Sequence, residues 1–451
     1  MANGKRQKAK GDSVHMPKIV IIGAGSGFGS RLSIDILSRD YLKDSTIALC
    51  DIHEERLMQV HNYVNRAIEG HNLPGTCIAS TDRHELLPDA DFVVTAVSIG
   101  GAAYWGEPYA SEIGIPLKYG LHQTVADTVG VGGVFRYLRT AKEHLQFCKD
   151  MEVHCPDALM LNYTNPMAML TWTHSVGSSI QNVGLCHSVQ GTTKKLATGI
   201  GEAYEDISYL VAGINHQAWI LKFKKDGEDL YPRIFEAVDS HESFKEDRVR
   251  VEMMKQFGYF VTESTRHNAE YLPYFLRTPE LRKHYGVPDR QPVSMEMSEN
   301  RKRVWMKDSG VDTDEAAEVP KMAQSHEYAS AIIEAKLTGV PFLFNGNVMN
   351  NGVITNLPHE CCVEVPVVVD REGLHPCYVG ALPPQCAALN MTNVAVQELA
   401  VKAVLERDKE AAFHACALDP LTASVVSLPN IRKMFDELWE AEGELLDYFE
   451  E

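Results

Sequence analysis

The chain of 451 residues carries 43 Lys plus Arg against 61 Asp plus Glu, a formal charge of −18, with 45% hydrophobic and 23% charged residues. Such length and composition predict a globular protein of two or three domains and exclude a largely disordered chain. The negative charge argues against a nucleic-acid partner, which needs a clustered positive surface, and no apolar run approaches the roughly 20 residues of a membrane span.

Residues 1–16 are basic and polar, lack the apolar segment of an export signal, and read as a disordered tail. There are ten cysteines but no CxxC pair, so the thiols are expected to be reduced and mostly buried in a cytoplasmic protein. Lys18–Ile22 is a β-branched run that predicts a strand, and it passes directly into Gly23-Ala-Gly-Ser-Gly-Phe-Gly29. Leu32 and Ile36 share one face of the helix that follows. Thr46–Cys50 predicts a second strand ending at Asp51, and apolar positions 57, 60, 64, 67 and 68 mark a helix that stops at Gly70. Residues 91–97 predict a third strand, and Val134, Leu138, Ala141, Leu145 and Cys148 form a helix face. Segments 158–161 and 182–186 complete the series as buried strands.

This alternation predicts an α/β fold: a Rossmann-like parallel sheet with helices on both faces over residues 17–200, followed by a mixed α+β domain over 201–451. In the second part, 209–212 and 218–223 read as strands of a mixed or antiparallel sheet. Residues 281–325 read as helix fragments and surface loops, and 341–344 and 363–369 as strands. Val396, Leu399, Ala400, Ala403 and Val404 mark a long helix. A last helix is expected from 431 to 449, its acidic run on a solvated face.

Ligands of parallel sheets bind beyond the carboxyl ends of the strands. Four polar or glycine-rich segments fall there: 23–29, Asp51, 163–165 and Cys186-His187. A glycine turn between strand and helix lets the backbone approach a pyrophosphate at the helix N-terminus. Gly23 and Gly25 fill the first two positions of the dinucleotide fingerprint, with Ser26 and Gly27 in the turn, and strict spacing puts the third on Phe28. Asp51 would accept hydrogen bonds from ribose hydroxyls and repel a 2′-phosphate, which favours NAD over NADP.

Cys186, His216 and the amide oxygen of Asn165 offer a sulfur, a nitrogen and an oxygen donor near strand ends, a set that suits a divalent first-row metal with open positions. The alternative is a packed cysteine and a hydrogen-bonded histidine. Asp127 precedes a glycine turn and a helix, where a carboxylate also serves as an N-cap. Tyr271 would act as a base if a nearby cation lowered its pKa; otherwise it is an ordinary amphipathic tyrosine.

Tyr119-Gly-Leu-His-Gln-Thr-Val-Ala-Asp-Thr128, Leu161-Asn-Tyr-Thr-Asn-Pro-Met-Ala168, Gly184-Leu-Cys-His-Ser-Val-Gln-Gly-Thr192 and Ala212-Gly-Ile-Asn-His216 together resemble glycoside hydrolase family 4, and within it the bacterial α-galactosidases. Gly258-Tyr-Phe-Val-Thr-Glu-Ser264, Gly346-Asn-Val348 and Cys361-Cys-Val-Glu-Val365 extend the likeness over roughly residues 17–450. This family is an NAD-dependent exception to two-carboxylate glycoside hydrolysis. The resemblance implies NAD⁺ and Mn²⁺, with Cys186 and His216 as metal ligands and Asn165 as a substrate contact. It implies that NAD⁺ takes hydride from C3 of the sugar and that a base, Tyr271 or secondarily His267, removes the C2 proton. An acid, Asp127 or His187, would assist the leaving oxygen. His187 after the metal cysteine points to unphosphorylated α-galactosides; an α-galacturonidase of the same family and a hydroxy-acid dehydrogenase are the alternatives. A homodimer or homotetramer is implied by the same resemblance. Ala126 and Val131 stand where the family carries Gly and Pro, a departure that bears on the loop around Asp127.

Overall fold

The computed structural model describes residues 16–100, 106–293 and 318–450. Strands β1 (Lys18–Ile22), β2 (Thr46–Cys50), β3 (Thr76–Ser80), β4 (Phe92–Thr95), β5 (Leu159–Asn162) and β6 (Asn182–Gly184) pair in parallel in the order β3-β2-β1-β4-β5-β6. The strand order reverses between β1 and β4, which opens a crevice at their carboxyl ends. Side chains alternate between two cores. Val20, Ile22, Ala48, Val93 and Met160 pack with Phe147 and Met151, whereas Ile19, Ile21, Ile47, Leu49, Val94 and Leu161 join the apolar stripes led by Leu32, Ile36, Leu57, Val60 and Val64. Burial on both faces explains the continuous apolar runs of the sequence. β3 was not expected; it is a half-exposed edge strand without such a run.

Helices α1 (Gly27–Leu37), α2 (Glu54–Gly70), α3 (Tyr109–Lys118), α4 (Gly130–His154), α5 (Met167–Gly177) and α6 (Ser188–Gly199) connect or follow these strands. The sheet then continues through strands of the second half. β7 (Ser208–Ile214), β8 (Gln217–Lys225), β9 (Glu228–Asp229), β10 (Phe342–Met349) and β11 (Cys362–Asp370) extend it from β6 in the order β10-β11-β7-β8-β9, with antiparallel pairing, and β12 (Gly373–Pro376) pairs with β11. The expected strands at 209–212, 218–223, 341–344 and 363–369 therefore belong to the same sheet. Among the described residues no helix is long and apolar enough to cross a membrane. The expected tail, apart from Met16, and residues 294–317 of the expected polar segment lie outside the described residues.

The C-terminal expectation needs correction. The last α-helix runs Leu428–Glu442 and gives way to a 3₁₀ segment, Gly443–Phe449, at a glycine with positive φ. Its acidic end is not wholly solvated. Glu442 is 4% exposed and lies against Glu112 of α3, whose Oε1 accepts the Arg139 Nε–H at 2.6 Å. One buried guanidinium thus serves two carboxyl groups. Burial, followed by the charge of Glu112, pushes the Glu442 carboxyl up to about 8. The folded protein consequently holds a proton that the unfolded chain has released, so this contribution to stability is present below the ordinary carboxyl range and is lost as pH rises towards 8. Glu442→Gln is expected to melt a few degrees above the parent at pH values above 8, with the difference vanishing towards pH 5; thermal melts across that window check it.

Candidate active site

The carboxyl ends of the parallel strands open into a cavity of about 1150 Å³, lined at one end by Gly23, Gly25 and Asp51 and at the other by Asn165, Asp127 and His267. The first end is built from close backbone contacts. Gly23 has φ +88°, and a Cβ there would lie 2.2 Å from the Ala96 carbonyl oxygen. A Cβ on Gly25 would lie 2.8 Å from Asp51 Oδ2, which accepts the Gly25 N–H at 2.9 Å. A Cβ on Gly29 would lie 2.0 Å from the Ala24 carbonyl oxygen. The helix-packing glycine is therefore Gly29, one residue beyond the position that strict spacing assigned to Phe28. Phe28 instead lines the cavity with its ring 5.4 Å from that of Tyr163. Ser26 is the N-cap of α1, but its Oγ donates to the Gly23 carbonyl at 2.9 Å and makes no cap bond; the Gly29 amide donates to the Ser26 carbonyl at 3.0 Å, which leaves the Gly27 and Phe28 amides uncapped by a side chain. Asp51 lines the cavity where ribose hydroxyls of a nucleotide would lie. A cradle that admits no Cβ, next to an uncapped helix end, fits a dinucleotide.

At the other end, three loops bring titratable groups together. Asp127 is not the N-cap of α4; that position is Val129. Its carboxylate accepts the Thr128 hydroxyl at 2.8 Å and the Asn165 amide at 3.4 Å, and its Oδ1 lies 3.5 Å from His267 Nε2. The His267 ring lies with Nδ1 3.0 Å from Glu263 Oε2. Burial opposes charge on all three groups, yet the hydrogen bonds and opposite charges win: Asp127 and Glu263 are held well below the usual carboxylate range, and His267 well above the usual histidine range. Arg136 adds positive charge near Asp127, and its Nε donates to the Asn165 carbonyl at 3.3 Å.

His216 stands against this triad, with its ring 4.8 Å from that of His267 and 6.4 Å from that of Tyr271. Burial pushes it down to about 4, so it is neutral, the state in which imidazole ligates a metal. Nδ1 meets the Thr128 hydroxyl at 3.4 Å, and Nε2 carries no hydrogen bond among the described residues. Cys186 is buried at the N-terminal end of α6, and the charge of Glu263 reaches both it and His216. Burial, then Glu364 and Glu263, pushes its thiol well up. Asn165 Oδ1 and the Tyr271 hydroxyl are buried without a hydrogen-bond partner among the described residues. Burial, then Asp127, Glu270 and Glu263, pushes the tyrosine well above its ordinary value.

A thiol, a neutral imidazole and an orphaned amide oxygen beside surplus carboxylates fit a divalent cation, whose charge lowers the pKa of a coordinating thiol. No group of three or more His, Cys, Asp and Glu side chains forms a ready metal cage among the described residues. His187 is not drawn into the buried cluster: its side chain is 61% exposed, with Nδ1 3.7 Å from Glu327 Oε1. Glu263, Glu270 and Arg136 carry no functional mark in the sequence. None sits in a metal or nucleophile spacing, and the one local signal, the left-handed Glu263 with φ +73°, is a backbone property invisible in sequence.

Comparison with known proteins is specific. The family model described as "Family 4 glycosyl hydrolase" matches residues 18–202, and its "C-terminal domain" model matches residues 211–422. An α-galactosidase of Bacillus subtilis (strain 168) is 43% identical over 438 residues, spanning 96% of this chain and 99% of that one. An α-galactosidase of Rhizobium meliloti (strain 1021) is 36% identical over 442 residues, spanning 96% and 89%. Among solved structures, the Thermotoga maritima 6-phospho-β-glucosidase with manganese, NAD⁺ and glucose-6-phosphate superposes with a TM-score of 0.78 at 23% identity, covering 95% of this chain and 99% of that one, and so shares the fold.

The glycine contacts are directly testable. Gly29→Ala drives a methyl into the Ala24 carbonyl and is expected to lower the melting temperature and weaken NAD⁺ binding at least about tenfold. Gly191→Ala meets nothing within 4 Å and is expected to change neither. Thermal melts and nucleotide titration of the two variants check the contrast.

Proposed function

The chain belongs to glycosyl hydrolase family 4, and we propose that within it the protein is an α-galactosidase that works with NAD⁺ and Mn²⁺. The observation that carries this reading is the buried Asp127–His267–Glu263 system, with Tyr271 and His216 against it, beside the cavity that Asp127 and His267 line. A plain dehydrogenase needs one proton acceptor beside its nucleotide; elimination and re-addition across a glycosidic bond need several. The α-galactosidase relatives supply the substrate class.

Cys186 and His216 are the residues we assign to the metal, and Asn165 to the substrate beside it. When bound, the nucleotide supplies a hydride acceptor, and the metal supplies positive charge and carbonyl polarisation. Tyr271 is the base in this reading, because its hydroxyl is buried, unpartnered and next to His216. His267 is excluded from that role while it is held protonated between two carboxylates, for it then has no lone pair to accept a proton. An ionised Asp127 likewise has no proton to give. We therefore assign the acid to His187 at the exposed rim and an electrostatic role to Asp127. In this reading residues 17–200 form the nucleotide-binding unit, which also supplies Asp127, Asn165, Cys186 and His187 to the substrate end, and 201–451 supply the remaining substrate groups and the assembly surface; the two family models, matching 18–202 and 211–422, support the boundary. We further infer a cytoplasmic homodimer or homotetramer.

Hydrolysis of nitrophenyl α-galactoside, with NAD⁺, Mn²⁺ and thiol reductant omitted in turn, tests the reading. Omission of either cofactor, or Cys186→Ser with both present, is expected to lower kcat/KM by about a hundredfold or more. Reduced nicotinamide should not accumulate during turnover. Undiminished activity in protein stripped of both cofactors would refute the proposal.

A further inference from the structure

Glu270 is a buried carboxylate that the proposed chemistry does not use. Glu270 ends the short helix Thr265–Glu270, between His267 and Tyr271, and is 1% exposed. Its Oε1 accepts the backbone N–H of Val125 at 2.7 Å and of Ala126 at 3.0 Å, and its Oε2 lies 3.2 Å from the same Ala126 nitrogen. Ala126 immediately precedes Asp127 and has φ +58°, the left-handed region that an L side chain rarely adopts. It is completely buried, and its methyl faces Gly132 in the first turn of α4, so the residue has no room to relax outward.

A turn of this kind directs successive amides to one side, where they form an anion-binding concavity. Here the anion is a side chain of the protein itself. The loop has further ties: the Tyr109 hydroxyl donates to the Val125 carbonyl at 2.9 Å, the Thr124 hydroxyl donates to the Arg266 carbonyl at 2.6 Å, and the Thr124 carbonyl accepts from Arg290 Nη1 at 3.3 Å and Arg266 Nη2 at 3.4 Å. None of these holds the Ala126 amide. Burial pushes the Glu270 carboxyl up to about 7, and the two amides oppose that shift by stabilising its charge.

We propose that Glu270 is a positioning residue for Asp127: its carboxylate clamps the Val125 and Ala126 amides, keeps Ala126 left-handed, and so sets Asp127 against His267 and Asn165. The catalytic consequence rests on the glycosidase reading; the clamp itself does not.

Three variants test this: Glu270→Gln, Ala126→Gly and the pair together. Glu270→Gln keeps the volume but puts an amide N–H in place of one acceptor. It is expected to lower kcat by roughly 10- to 100-fold with KM for nitrophenyl α-galactoside changed by less than about twofold, as small displacements of catalytic groups do. Deuterium uptake at the amides of residues 121–129 should rise. Ala126→Gly alone should be near parental, because glycine adopts this φ freely. Added to Glu270→Gln it should restore about fivefold or more of the lost kcat, since the turn then needs less clamping. If Glu270→Gln does not fold, Glu270→Asp, which keeps the charge at shorter reach, takes its place with the same expectations. An unchanged kcat, or a loss that Ala126→Gly does not reduce, overturns the proposal. If the parental protein fails to cleave the galactoside with both cofactors present, the substrate reading falls instead. Hydrogen exchange then decides the clamp alone, and unchanged uptake at 121–129 overturns it.

Discussion

A single imidazolium organises the charged end of the cavity. His267 sits between Asp127 and Glu263 and is the group through which both carboxylates stay ionised while buried. Burying one charge is costly, and burying like charges together more so, unless opposite charge and hydrogen bonds accompany them. With His267 protonated, the cluster of His267, Asp127 and Glu263 still carries one net negative charge, and Arg136 adds opposing charge at Asp127. Burial leaves His216 neutral against the pull of Glu263 and Asp127, and burial together with the neighbouring carboxylates keeps Tyr271 protonated. The protonation states of the site are thus collective, and no one residue in it titrates on its own terms.

The opposite end of the cavity depends on absence of side chains instead of charge. Gly23, Gly25 and Gly29 each stand where a Cβ would clash with Ala96, Asp51 or Ala24, at distances shorter than van der Waals contact. Those contacts bring β1, β2, β4 and α1 close enough to present open helix amides at the strand ends. A rigid, side-chain-free cradle at one end and a charge-balanced pocket at the other make one continuous cavity, which suits a cofactor that must reach from an anchoring site to a reacting bond.

Much of the fold was legible because its strands are buried on both faces and its helices carry clear apolar stripes. β1, β2, β4, β5 and β6, and the helix Glu54–Gly70, follow from their residues alone. β3 escaped because an edge strand has no continuous apolar run, and the end of the last helix because Gly443 acts through backbone conformation. Within the site, Asp51 and the glycine turn were readable from local order. The family resemblance located Cys186, His216, Asp127 and Tyr271, which spacing alone left undecided. Glu263, Glu270 and Arg136 carried no such mark, because each matters through what lies across the fold from it.

The amino-acid order by itself determined the parallel sheet, the nucleotide turn and the residue types available for chemistry, since these rest on periodicity and on contacts between chain neighbours. Only the tertiary structure decided their states. Asp127 is ionised because His267, 140 positions away in the chain, is bonded to it, and the left-handed Ala126 is held by a carboxylate 144 positions distant. Charge and backbone strain are set by spatial neighbours in a low-dielectric interior, and a linear pattern does not record which distant groups become neighbours.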